Sequence, residues 1–208
     1  MGNAMDRSDW DARYAAARGG LFGDEPNAHL RAAVSRPELR ADDALVLADG
    51  DGRNGRWLAA RGLRVTALDF SAEATRRARA ADAAAGVAVE RIEADMTEWT
   101  VPPGRRWGLT ALIYLQGPAS LRLAGLRRAV EGLAPGGWLA IEGFAAGGPE
   151  PPATGPRDDA KRWRAEEIEP LLAGLEVVEL LTGRLLLSEG DLHRGDAWAL
   201  RVLARLRA

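Results

Sequence analysis

Residues Ala44–Asp69, ALVLADGDGRNGRWLAARGLRVTALD, constrain this chain more than any other stretch. An apolar run over 44–48 ends in the turn Gly50-Asp51-Gly52-Arg53-Asn54-Gly55, a helix-like segment follows, and a second apolar run over 63–68 stops at Asp69. That is a strand–turn–helix–strand unit of the length a βαβ element needs. Glycines let the backbone approach a ligand closely, and a helix N-terminus offers unpaired N–H groups to an anionic one. A carboxylate at the tip of the second strand, where Asp69 stands, can accept both hydroxyls of a ribose. The unit therefore points to a nucleoside-bearing cofactor, and Gly50-x-Gly52-x-x-Gly55 satisfies the dinucleotide fingerprint literally.

Other chemistries are excluded by composition. The chain of 208 residues has no cysteine and only two histidines, His29 and His193, so thiolate sites, disulfides and a histidine zinc centre are not expected. Lys+Arg is 28 against Asp+Glu 30, and the doublets Arg76-Arg77, Arg105-Arg106 and Arg127-Arg128 are scattered, so nucleic acid is not an expected partner. No apolar run is long enough to cross a membrane, no signal-peptide core opens the chain, and a cytoplasmic protein is expected. Met1-Gly2 opens like a myristoylation signal, but Asp6 occupies the position that wants Ser or Thr, so a start site or extension before Met5 is expected.

Taken in order, Asp6–Arg18 places Trp10, Tyr14 and Ala17 on one helical face, either packed on the domain edge or forming a flap over a cofactor. Glycines and Pro26 break the chain, and Asn27 caps a new helix through Leu30 and Val34. Past Asp69, Ser71 caps a helix that Gly86 ends. Strands are expected over 87–94, 107–115 and 138–144, with a helix over 119–133 and the turn Ala134-Pro135-Gly136-Gly137 between the last two strands. The stretch 145–160 is Gly- and Pro-rich and reads as a functional or disordered loop; a helix over 163–173, kinked at Pro170, follows. Two β-like runs, 176–187 and 196–206, close the chain as antiparallel neighbours. The strand–helix alternation makes this an α/β chain with a doubly wound, Rossmann-like parallel sheet, in one domain over 1–208: an N-terminal helical flap over 1–40 and a core over 41–208. Trp57, Trp138 and Trp198 are assigned to packing.

The glycine fingerprint alone leaves an NAD(P)-dependent oxidoreductase open. Against it, roughly forty residues precede the first strand, no Tyr-x-x-x-Lys pair is present (Tyr114 is followed by Leu115-Gln116-Gly117-Pro118), and a second acidic stop appears in Glu93-Ala94-Asp95-Met96.

Trp10-Asp11-x-Arg13-Tyr14 with Phe22-Gly23-x-x-Pro26-Asn27, Leu47–Asn54, Leu68-Asp69-Phe70-Ser71, Glu93-Ala94-Asp95-Met96, Leu133–Trp138 and Glu189-Gly190-x-x-His193-Arg194-Gly195 occur here in sequence order. Together they resemble a class I S-adenosylmethionine-dependent methyltransferase, in the branch similar to tellurite-resistance and thiopurine-type small-molecule methyltransferases. The chain departs from the family pattern at Val46 and Ala48, where an acid and a glycine are usual, and Gln116 stands where the branch often has histidine. Asp49 and Asp51 are the candidates to restore the missing acidity. The eroded motif also leaves a non-catalytic S-adenosylmethionine-binding domain as an alternative.

The resemblance implies a seven-stranded sheet, parallel except for the last strand, and S-adenosyl-L-methionine as cofactor. Gly50, Asp51, Gly52 and Asn54, with Asp49, would form the cradle for its methionyl end, with Gly55 an ordinary helix residue. Asp69 would take the ribose, and Phe70, Asp95 and Met96 the adenine. Trp10 and Tyr14 would cover the sulfonium. The methyl acceptor, a small molecule with an S, O, N or Se nucleophile, is expected among Gln116, Glu142, loop 145–160 and His193. His193, Gln116 and Tyr14 are the candidate catalytic residues, with His193 placed to act as a general base. No metal is expected.

Overall fold

The computed structural model describes residues 6–149, 154–190 and 193–207. The Met1–Met5 start and part of the 145–160 loop therefore lie outside the described residues. Along the chain run α1 (Arg7–Ala16), α2 (Ala28–Val34), β1 (Asp43–Leu47), α3 (Arg53–Ala60), β2 (Arg64–Asp69), α4 (Ala72–Ala85), β3 (Val89–Glu93), β4 (Trp107–Ile113), α5 (Ala119–Glu131), β5 (Leu133–Phe144), α6 (Ala165–Leu172), β6 (Leu175–Ser188) and β7 (Arg194–Leu206). The seven strands form one sheet in the order β3-β2-β1-β4-β5-β7-β6. Pairings among the first five strands are parallel, and β7 is antiparallel to both β5 and β6. The expected single antiparallel strand is β7, inserted between β5 and β6.

Side-chain alternation explains the two covered faces. On β1, Leu45 and Leu47 join α5 and α6 residues such as Leu126 and Ile168 in one core. Ala44 and Val46 face the other way, toward Leu30 and Ala33 of α2 and Leu58 of α3. A strand covered on both sides has to be apolar throughout, which is why β1 reads as a continuous run. The order 3-2-1-4-5 reverses beside β1, so the C-terminal ends of β1 and β4 diverge there and leave the crevice such sheets use for ligands.

Local caps fall where their chemistry puts them. Asp6 makes a capping box with Asp9 on α1, Asn27 accepts from the Leu30 amide, Ser71 accepts from the Ala74 amide, and Gly86 ends α4 at φ 67°. Several boundaries differ from expectation, three of them for a visible reason. β4 stops at Ile113 because Tyr114 turns left-handed, at φ 53°. β5 starts at Leu133, ahead of the Pro-Gly-Gly turn, because Leu133 already pairs with Trp107 before a register shift. α6 begins at Ala165 because Trp163 is held in a bridge with Ala145, donating to the Phe144 carbonyl and accepting from the Ala146 amide. Pro170 sits inside α6, whose assignment continues through it to Leu172.

Candidate active site

The glycine turn leaves β1 through Ala48 in the left-handed region, φ 53°, a conformation that costs an L-residue about 1 kcal/mol. Gly50 follows at φ 57°, and a Cβ there would lie 2.4 Å from the Tyr14 hydroxyl, so the missing side chain lets the N-terminal segment press onto the turn. Gly52 and Gly55 act differently from expectation. A Cβ on Gly52 would meet Arg91 Nη2 at 2.5 Å and Ala78 Cβ at 2.9 Å, so its bare face is taken up by β3 and α4, and Gly52 is not among the cleft-lining residues. A Cβ on Gly55 would lie 2.4 Å from Asp49 Oδ2, so Gly55 is no ordinary helix position.

Behind the turn sits a buried ion cluster. Arg91 donates to Asp49 at 2.5 Å and to both Asp82 oxygens at 2.8 and 3.0 Å, and Asp49 also accepts the Gly55 amide. Burial pushes the Asp49 pKa up against the pull of Arg91. Asp49 lines the cleft, but its carboxylate is spent on holding the turn; this is the acidity the sequence lacks at Val46. Asp51 accepts the Leu21 amide at 2.8 Å and so ties the N-terminal segment to the turn. Asn54 accepts the Asn27 amide in the same way.

Asp69 is fixed at the tip of β2 by two amides, Gly50 N–H to Oδ2 at 2.8 Å and Ser71 N–H to Oδ1 at 2.9 Å. Burial outweighs these bonds and raises its pKa to about 6. The Gly50, Gly52 and Gly55 amides are spent at the turn, which leaves the Arg53 and Asn54 amides at the start of α3 for an anionic group. Phe70 lines the cleft under the Arg7 guanidinium, 5.9 Å from its ring, and buried Met96 lies nearby. Asp95 is held at the rim by the Thr97 amide and hydroxyl, both donating to Oδ1.

The N-terminal segment closes one side. Arg77 donates to the carbonyls of Tyr14, Ala17 and Gly19, and Asp11 accepts from Ser71 Oγ and the Glu73 amide. Tyr14 is buried, with Trp10 beside it at 6.0 Å between ring centres. Burial and the carboxylates of Asp69, Asp51 and Asp49 push the Tyr14 pKa well up, which registers a negative field at this point of the cleft. A sulfonium suits such a field, and an amide-fixed Asp69 suits a ribose, so the residues present fit the cofactor the resemblance implies.

At the far end, His193 stacks on Phe22 at 4.6 Å, lies 4.1 Å from the Tyr114 ring and meets Phe144 edge-on at 5.6 Å. Burial first, and the Arg53 charge second, lower its pKa to about 3, so it is neutral at any physiological pH rather than poised near 7. Glu142 is fully buried behind this wall, accepting from Asn27 Nδ2 at 2.8 Å and from Arg201 Nε; it is not a lining residue. Glu189 accepts from Asn27, the Ala28 amide and Arg53 Nη2. Gln116 and residues 155–158 line the outer part of the same cleft. The loop is pinned from behind by buried Arg162, which donates to the Pro156 and Arg157 carbonyls.

Sequence reasoning thus placed Trp10, Tyr14, Asp49, Gly50, Asp51, Asn54, Asp69, Phe70, Asp95, Met96, Gln116 and His193 around one cleft of about 780 Å³. It missed Tyr114 and Phe144, and it had Phe22 only as part of the N-terminal motif. Tyr114 and Phe144 end apolar strands and look like core in one dimension; only the neighbouring Gly117 hinted at a turn. Among the described residues no group of acidic or histidine side chains could hold a metal ion, and no helix is long and apolar enough to cross a membrane.

Residues 44–137 match the family described as a methyltransferase domain. No curated protein matches the chain by sequence. Among solved structures, one is of a protein from the conversion of a disulfide bond into a thioacetal group during echinomycin biosynthesis: 20% identity, 97% of this chain and 93% of that chain, TM-score 0.68. TehB from Haemophilus influenzae aligns over 97% of this chain and 67% of its own, at 13% identity and TM-score 0.70. Magnesium protoporphyrin IX methyltransferase from Synechocystis, solved with bound S-adenosylmethionine, aligns over 86% and 76% at 15% identity and TM-score 0.58. At these identities the structural likenesses establish the fold, and the family match covers the part of the chain from β1 to the turn within β5.

Proposed function

We propose that this methyltransferase, whose cofactor is S-adenosyl-L-methionine, methylates a small-molecule acceptor held beside Tyr114 and His193, as one domain of the tellurite-resistance and thiopurine-type branch. The observation that carries the reading is continuity. A single cleft of about 780 Å³ runs from Asp69 and the glycine turn, under Tyr14, to the Phe22–Tyr114–Phe144–His193 wall. When bound, the cofactor supplies a methyl group on a positively charged sulfur.

The chain's own residues bind, orient and exclude water. Asp69, already aimed by two amides, accepts the ribose hydroxyls, and the first-turn amides of α3 take the carboxylate. Phe70, Met96 and Asp95 form the adenine end. Tyr14 and Trp10 cover the sulfonium, where ring faces and the surrounding carboxylates favour a cation. Asp49, Asp51 and Gly52 keep the turn in shape; Asn54 and Gly50 receive the N-terminal segment. His193 and Gln116 orient the acceptor, and the closed cleft removes water from it. For a displacement at carbon, alignment and desolvation are the main requirements, and effective molarities in such settings are worth roughly 7–11 kcal/mol.

The test is transfer of labelled methyl from S-adenosylmethionine across a panel of thiols, phenols, amines and selenols, with Tyr14→Ala in parallel. Turnover on at least one acceptor, with weakened cofactor affinity in Tyr14→Ala, is expected. Cofactor binding without turnover on any acceptor contradicts the reading.

A further inference from the structure

The inner end of the cleft holds polar atoms that the protein does not satisfy. Both imidazole nitrogens of His193 are buried and make no hydrogen bond among the described residues, while the buried Tyr114 hydroxyl faces the Glu142 carboxylate without a well-aligned bond to it. Leaving a buried polar atom unmet costs about 1–3 kcal/mol, so the two imidazole nitrogens in a cleft wall mark a place built for a partner. Tyr114 adds a second sign: its left-handed backbone, φ 53°, is rare for a bulky residue and clusters at functional sites.

The charges around these atoms are already matched. Arg53, from α3, is paired with Glu189 of the β6–β7 connection at 2.8 Å. Glu142 of β5 is paired with Arg201 of β7. Glu142, Glu189 and Arg201 act on Tyr114, and Arg53 on His193. Phe22, Tyr114 and Phe144 enclose the imidazole with rings. At this box, then, the cations Arg53 and Arg201 are each paired with a carboxylate, and two carboxylates stand behind it.

We infer that the acceptor is bound as an uncharged protic nucleophile, an X–H group on a planar or apolar body, held by His193 and Tyr114. This rests on the methyltransferase reading and narrows its substrate class. A neutral imidazole offers one donor and one acceptor, and a tyrosine hydroxyl offers both. An X–H group both gives and receives, so it can satisfy the two side chains together. An anion only receives: it leaves the bare imidazole nitrogen unmet and brings charge into a box walled by rings, beside cations already paired with Glu189 and Glu142, at the cost of desolvation. An ammonium only gives, and has no lone pair for attack. Oxyanions, halides and thiolates are thereby disfavoured as the bound form.

The experiment uses 4-nitrophenol, whose neutral and anionic forms differ in colour and interconvert near neutral pH. Its absorbance is followed against pH with the intact protein, and S-adenosylhomocysteine binding is measured alongside by calorimetry. The expected result is that the bound probe keeps the neutral spectrum, with its pKa raised by at least about one unit, a tenfold preference. Tyr114→Phe and His193→Asn should each weaken the neutral form about tenfold while S-adenosylhomocysteine affinity holds. Preferred binding of the phenolate, or no binding of the neutral probe, overturns the inference. If S-adenosylhomocysteine also fails to bind, it is the methyltransferase reading that falls.

Discussion

Arg91→Met tests the ion cluster that supports the glycine turn. Arg91, Asp49 and Asp82 keep only 3%, 1% and 7% of their side-chain surface exposed. Removing the guanidinium leaves Asp49 buried without a counter-charge and Asp82 with Arg56 alone, 3.7 Å away, and breaking such a pair from one side costs about 3–5 kcal/mol. In a chain of this size each kcal/mol moves the melting temperature by roughly 2–4 °C, so a fall of about 10 °C is expected by scanning calorimetry. Urea titration at pH 7 gives the free energy. Lowering the pH should shrink the deficit, because Asp49, already pushed up by burial, loses the Arg91 pull that opposes it and takes a proton more readily. Adding Asp49→Asn and Asp82→Asn to Arg91→Met should recover most of the loss, since the unmatched charge is gone. A loss below about 1 kcal/mol, or a triple variant no better than the single one, refutes the claim that the cluster holds the turn by charge balance.

Ala48→Gly should stabilise the protein by up to about 0.5 kcal/mol, the relief of a left-handed alanine less the entropy of an added glycine; a lower melting temperature would mean the methyl packs to advantage. His193, at a folded pKa of about 3 against 6.5 unfolded, contributes stability above pH 6.5 that is lost as pH falls toward 3. By linkage about 2 kcal/mol of it is gone at pH 5, and urea titrations of His193→Asn should lack that part of the slope; an unchanged slope contradicts the buried neutral imidazole. Asp69 acts on cofactor affinity rather than stability, and in the same direction: with a folded pKa near 6, its protonation should cost up to about tenfold in affinity per pH unit below 6. Asp69→Asn should remove that pH dependence, which calorimetry of S-adenosylhomocysteine at pH 5 and 7 would show.

Local signals were legible and long-range ones were not. Ser71 and Gly86 bound α4 on both sides because capping is read from a few neighbouring residues. Asp69 could be placed because a strand tip after a βαβ crossover has one position in space. Gly55 was misread, and the engagement of Asp49 by Arg91 was not foreseen, for the reverse reason. Their roles depend on Arg91, 42 residues beyond Asp49, and nothing within the turn announces it. The Phe22–Tyr114–Phe144–His193 box joins four segments that meet only when the sheet closes, and each member alone looks like core or turn. The apolar strand β5 did carry one discordant residue, Glu142, and its burial against Asn27 and Arg201 explains why a charge was tolerated there.

Titration calorimetry with S-adenosylhomocysteine and with NADH, on the wild-type chain and on Asp69→Ala, addresses the cofactor cradle directly. One molecule of S-adenosylhomocysteine should bind per chain, NADH should give no heat of binding, and Asp69→Ala should weaken the first by at least about tenfold. Binding of NADH instead, or S-adenosylhomocysteine binding that Asp69→Ala leaves untouched, would contradict the account.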